Sequence, residues 1–293
     1  MKYIFILSFI MLFYSCNREV EPRIDKIHPF PSKYITERNV DIWLPSNYTK
    51  NKKYQVLYMH DGQMLFDSTT TWNHQAWMAN SILQDLITKQ KVPETIIVGI
   101  WNIQDHRTSD YWPAKPFYNL PKHLQDSLIK ERLLRTPDSD NYLKFIINEL
   151  KPYVDRTYST YTQQEHTFIA GSSMGGLISM YAICEYPNIF AGAACLSTHW
   201  IGSYEENKTI SNSFIDYVNK NIPSYKNHKF YFDHGTKTLD QYYGDSQLKI
   251  NDIFKKHGYT KSNYMSKIFV GDKHEERFWS ERLHIPFTFI LNN

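Results

Sequence analysis

Phe168-Ile169-Ala170-Gly171-Ser172-Ser173-Met174-Gly175-Gly176-Leu177 runs from an apolar segment through Gly-X-Ser-X-Gly into an apolar helical pattern without a gap. The first segment reads as a buried strand and the last as a helix, so the chain must reverse sharply between them. Gly171 and Gly175 stand where side chains of strand and helix would collide, and neither carries a Cβ. Ser173, at the apex, is expected in a strained backbone conformation that lifts its hydroxyl above the sheet edge. The N–H of Met174 then lies at a helix N-terminus, where unpaired donors and the helix dipole favour a developing oxyanion. This is the pattern of a nucleophile elbow. The strand before it and the helix after it separate it from a chance Gly-X-Ser-X-Gly.

Strand and helix signals alternate on both sides of this turn. Strands are predicted over 39–44, 54–59, 95–101, 189–196, 229–233 and 265–270. Helices are predicted over 75–88, 140–158 (bent at Pro152), 212–219, 239–256 and 275–283, the last interrupted by Pro286. The alternation implies a mostly parallel sheet with helices on both faces, an α/β-hydrolase fold occupying residues 37–293. The stretch 102–137 is polar, carries Pro113, Pro116 and Pro121, and has the length of a lid or binding loop. Within it, Arg107 is expected to pair with Asp110. Substrate contact by Arg107 or Trp112 is the alternative. His60 and Asp61 are adjacent in an extended segment and point to opposite sides, which favours structural roles. Gly62 is expected to let the backbone approach a substrate.

The chain has 293 residues, 42% of them hydrophobic and 22% charged, with a formal net charge of +3. These are ordinary globular values, and neither the charge nor any basic run suggests nucleic acid. Aromatics reach 16%, a surplus assigned mainly to core and half-buried surface. At the N-terminus, Lys2 precedes an apolar run over 3–13, then Tyr14-Ser15-Cys16. That run is short for a membrane span and reads as a signal peptide over residues 1–15. A cysteine after a small residue resembles the cleavage site of bacterial lipoproteins, although Phe13 stands where leucine is usual. The expectation is an exported lipoprotein in a bacterial envelope, held to the membrane by a lipid on Cys16 and a polar tether over 16–36. An ordinary signal peptide and an uncleaved anchor are the alternatives. Cys184 and Cys195 fall in apolar contexts and read as buried thiols. No metal-ligand spacing occurs, and no metal or cofactor is expected.

A serine at its free pKa needs a base, and the base needs an orienting acid. In this fold the order is serine, acid, histidine, each after a strand end. The strand at 265–270 is followed by His274, taken as the base. The strand at 229–233 ends in Asp233 and leads to Asp240. Asp240 is the first choice for the acid and Asp233 the alternative. His199 follows the strand at 189–196 and is read as a supporting or substrate-contact residue. His228, His257 and His284 are read as structural.

From about residue 38 to 290 the chain resembles the esterase family that contains feruloyl esterases, enterobactin-type siderophore esterases, S-formylglutathione hydrolase and mycolyltransferases. The resemblance rests on Asp61-Gly62-Gln63, on Arg107 to Pro113, and on Gly171-Ser172-Ser173-Met174-Gly175-Gly176. Gly235-Thr236 with Asp240, and His274-Glu275 with Trp279 and Arg282, complete it. It implies acyl transfer from an ester, usually to water, through an acyl-enzyme and without a cofactor. It also implies that the Gln63 N–H joins that of Met174 in the oxyanion hole. Acylated polysaccharide and siderophore esters are the substrates in view. The rival reading is a catalytically silent binding lipoprotein on the same scaffold.

Overall fold

The computed structural model describes residues 21–292. The strands are β1 (Arg23–Phe30), β2 (Arg38–Leu44), β3 (Gln55–His60), β4 (Thr95–Ile100), β5 (Thr167–Ser172), β6 (Gly192–Leu196), β7 (Lys229–His234) and β8 (Tyr264–Ile268). They form one sheet in the order β1-β2-β4-β3-β5-β6-β7-β8. β2 runs antiparallel to both β1 and β4, and every pair from β4 to β8 is parallel. This is the α/β-hydrolase arrangement. β3, β4 and β5 are buried along their whole length, as strands covered on both faces must be.

The two-residue period of the strands sorts their side chains into two cores. Val56, Tyr58, Val98, Ile169 and Phe232 face the side that holds Leu177, Ile178 and Tyr181 of the helix Met174–Glu185. Leu57, Met59, Ile97, Phe168 and Tyr231 face Leu83 of the helix Ala79–Thr88 and Phe287 and Ile290 of the helix His284–Leu291. The helix after the elbow is buried from Met174 to Cys184, because a further layer of helices covers its outer side.

Part of that layer is the stretch expected to be a lid. It forms the helices Gln104–Tyr111, Ala114–Tyr118 and Lys122–Leu128, and Tyr111, Trp112 and Phe117 are fully buried. Its polar composition belongs to the outward faces, while its aromatics anchor it to the core. The tether is corrected likewise. Residues 23–30 form β1, an edge strand with Arg23 opposite Leu44. Half of the eight residues of β1 are exposed and only Phe30 is buried, so it reads as polar. Pro29 is tolerated because it lies on an edge, beside a register shift.

Two local details also differ. The helix expected from residue 75 begins at Ala79, and the long helix over 139–157 takes in Pro152 through a wide π turn at Ile146–Leu150. The closing helix is broken at Leu283 and not at Pro286, which lies in the first turn of the new helix His284–Leu291, where its missing N–H has no intrahelical partner to lose. Cys184 and Cys195 are buried free thiols. The signal peptide and Cys16 fall outside the described residues.

Candidate active site

The turn between β5 and the next helix places Ser173 at φ 57° and ψ −121°, an uncommon conformation for a residue with a side chain. A Cβ on Gly171 would lie 2.7 Å from the carbonyl carbon of Gly175, so the tight crossing of strand and helix requires glycine there. The Ser173 N–H donates to the Leu196 carbonyl at 2.9 Å, which ties the apex to the end of β6. Met174 is the first residue of the helix, where backbone N–H groups have no partner within the helix.

Ser173 and His274 line one cleft of about 860 Å³. His274 lies in the loop after β8, and its backbone N–H donates to the Thr238 hydroxyl at 2.9 Å. Its Nδ1 is 2.5 Å from Oδ1 of Asp240, in the short helical turn Thr238–Tyr242 after β7. Asp240 is 0% exposed. Its Oδ2 accepts the Ser197 hydroxyl at 2.7 Å and the Gly235 N–H at 2.5 Å. Burial opposes the charge on Asp240. The bonds from His274, Ser197 and Gly235 outweigh it and hold the carboxyl below its usual range.

Asp233 is committed elsewhere. It accepts Arg282 Nη2 at 2.9 Å and Nε at 3.1 Å, the Tyr231 hydroxyl at 2.8 Å and the Ser197 N–H at 3.1 Å. Of the two aspartates open to sequence reasoning, Asp240 is the one against His274.

Gln63 also lines the cleft, in the 3-10 turn Gly62–Met64 after β3. Asp61 enters that turn at φ 57°, and its carboxylate receives Arg107 Nε and Nη2, each at 2.8 Å. Asn102 adds Nδ2 to Asp61 at 2.7 Å and its N–H to Gln63 Oε1 at 3.1 Å. Arg107 therefore pairs with Asp61, not with Asp110. Asp110 takes the buried Arg38 at 3.0 Å. Burial works against the Asp61 charge, and Arg107 reverses the balance, keeping the carboxyl below its usual range. Gly62 meets a steric demand within the fold. A Cβ there would lie 2.6 Å from the Gly99 backbone carbon, so glycine lets the turn pass over β4.

Trp112 and His199 do not line the cleft. Trp112 is fully buried against Phe117 and Phe214. His199 lies beneath the elbow, with Nδ1 2.8 Å from the Tyr243 hydroxyl, and burial together with Arg132 holds its pKa well below the ordinary value. His60 bonds the Tyr142 hydroxyl at 2.7 Å, and burial pushes its pKa down to about 3. Sequence reasoning missed Ser197, Asn102 and the cleft-side residues Trp72, Gln75 and Glu276. None of them carries a local pattern that announces the site.

The family model described as "Putative esterase" matches residues 32–284. The chain belongs to the esterase family. Two uncharacterised Bacillus subtilis (strain 168) proteins are similar. YbbA is 25% identical over 179 residues, 59% of this chain and 62% of YbbA. YjcH is 24% identical over 162 residues, 55% of each chain. The matches thus span little more than half the length of these relatives. Among solved structures, an IroE-like serine hydrolase from Shewanella oneidensis superposes with a TM-score of 0.69 at 21% identity, covering 92% of this chain and 80% of its own. A ferulic acid esterase gives 0.65 at 18%, covering 92% and 98%. The Shigella flexneri enterobactin esterase gives 0.61 at 15%, covering 91% and 58%. At these identities the structural likeness is one of fold.

Proposed function

We propose that this esterase hydrolyses carboxylic esters through an acyl-enzyme on Ser173. His274 takes the Ser173 proton as the hydroxyl attacks the ester carbonyl, and Asp240 holds the imidazole and stabilises its charged form. The N–H groups of Met174 and Gln63 receive the oxyanion. His274 then protonates the leaving alcohol and activates water for deacylation. The observation that carries this reading is the shared cleft of Ser173 and His274, with Asp240 buried behind the imidazole at 2.5 Å.

The lining favours an uncharged, hydroxyl-rich ester such as an acylated saccharide. Arg107 is the only lysine or arginine on the cleft among the described residues, and Asp61 already occupies it. Glu275 and Glu276 add negative charge. A multiply anionic ferric siderophore would find no free cation there. Gln63, Gln75 and Gln104 offer neutral hydrogen bonds, and Trp72, 83% exposed, offers a flat face at the rim. We also propose that the chain is exported and lipidated on Cys16; a lipid mass increment on the mature chain, abolished by Cys16→Ser, is the check.

The deciding experiment compares wild type with Ser173→Ala on acetyl and feruloyl nitrophenyl esters, with fluorophosphonate labelling alongside. The expected result is single labelling of wild type and a loss of about 10³-fold or more in the variant. A folded wild type that neither labels nor turns over would overturn the reading in favour of a binding protein.

A further inference from the structure

The least conspicuous polar group near the site is the hydroxyl of Ser197, just after β6. It does not touch the cleft and is fully buried. Three groups surround its oxygen. Trp279 Nε1 lies at 2.9 Å, Arg282 Nη2 at 3.0 Å and Asp240 Oδ2 at 2.7 Å. Indole and guanidinium N–H groups only donate. A hydroxyl accepts at two lone pairs and donates one hydrogen. Trp279 and Arg282 fill the lone pairs, so the hydrogen has a single destination, Asp240.

We propose that Ser197 is a positioning residue whose fixed hydroxyl orients Asp240 and sets the basicity of His274. The inference rests on the reading of Ser173, His274 and Asp240 given above.

The backbone supports it. Ser197 has φ 42°, a left-handed conformation that costs energy for a residue with a Cβ. Its N–H is held by Asp233 at 3.1 Å, and Asp233 is held by Arg282. Arg282 also reaches Asp272 at 2.8 Å, in the loop that leads to His274. One cation thus fixes both the residue that orients Asp240 and the loop that carries the base. The division of labour on the Asp240 carboxylate follows. Oδ2 is taken by Ser197 and Gly235, so Oδ1 alone faces His274 and the group cannot rotate. Without the Ser197 donor the carboxylate keeps more of its charge and stabilises the imidazolium more strongly, while its orientation loosens.

The test is the pH profile of kcat/KM on a short-chain nitrophenyl ester for wild type, Ser197→Ala and Ser197→Gly. Glycine removes the hydroxyl but suits the positive φ, so it separates loss of the hydroxyl from loss of the fold. The expected result for both variants is a fall in kcat of about tenfold, KM within about twofold, and an acid limb moved up by about half a pH unit. The low-field proton resonance of His274 Nδ1–H, read in folded protein independently of turnover, is expected to shift in both. An active wild type whose Ser197→Gly variant keeps its kcat, acid limb and resonance would overturn the role of Ser197 and leave the esterase reading intact. A lowered Tm with an unmoved acid limb and resonance would also overturn it, as packing alone. An inactive, unlabelled wild type would overturn the esterase reading, and the resonance would still decide whether Ser197 orients Asp240.

Discussion

Asp61 and Arg107, 46 residues apart in the chain, meet through two hydrogen bonds of 2.8 Å. The pair clamps the turn after β3, which carries Gln63, to the segment after β4. On the mechanism proposed above, Arg107→Met should therefore lower kcat about 10²-fold with little change in KM, because a displaced Gln63 donor would be felt only in the transition state. Asp61→Asn should do the same, and the double variant should lose little more than either single one. Steady-state kinetics on one ester decides it. A rise in KM alone would instead mark Arg107 as a substrate contact.

The two aspartates of the β7 end should separate by phenotype. Asp240→Asn should cost about 10³–10⁴ in kcat with a modest change in stability, since the imidazole loses its orienting charge. Asp233→Asn leaves the buried Arg282 short of its main partner and should cost about 3 kcal/mol of stability with kcat within about tenfold. Urea unfolding beside kinetics separates them. Equal catalytic losses would contradict the geometry.

The buried imidazoles should weaken the fold in acid before Asp61 and Asp240 titrate, with buried Asp110 and Asp233, pushed up by desolvation, acting the other way. His60 has a folded pKa of about 3 against an ordinary 6.5. Above pH 6.5 both states are neutral there and His60 contributes no slope. Below it the unfolded chain binds a proton that the folded imidazole refuses, so stability falls by about 1.4 kcal/mol per pH unit from this group. His199 acts in the same direction. Asp61 and Asp240, with depressed pKa values, lose their contribution only at lower pH. Urea midpoints between pH 7.5 and 4.5 should show the decline, and His60→Asn should flatten it.

Trp72→Ala should raise KM for saccharide-linked esters while leaving small nitrophenyl esters within about twofold, as expected of a stacking face worth about 1 kcal/mol or more at the rim. The loop bearing Trp72 is braced across the cleft by Asn73 to Glu276 at 2.9 Å and by Gln75 to the Arg277 N–H at 3.1 Å. Equal effects on both substrate types would remove the saccharide from the proposal.

The elbow was legible because strand, turn and helix are consecutive and the steric demand on Gly171 is local. His274 was legible because it follows the last strand. Position favours Asp240, which follows β7, over Asp233, which lies within it, but does not decide between them; Arg282, 49 residues beyond Asp233, claims the latter. Sequence alone pairs Arg107 with its neighbour Asp110, because pairing across loops leaves no periodic trace. Trp112 looked available because it sits in a polar stretch, whereas its burial against Phe214 is a tertiary fact. β1 was hidden by the polarity and proline that suit an edge.

Gln63 follows β3, Ser173 follows β5, Asp240 follows β7 and His274 follows β8, the outermost strand, paired with β7. The strained serine can thus be in place while the imidazole is still absent. On the mechanism proposed above, a chain whose β8 is not paired with β7 would hold Ser173 without its base. On that reading, turnover would report whether the β7–β8 pairing is intact.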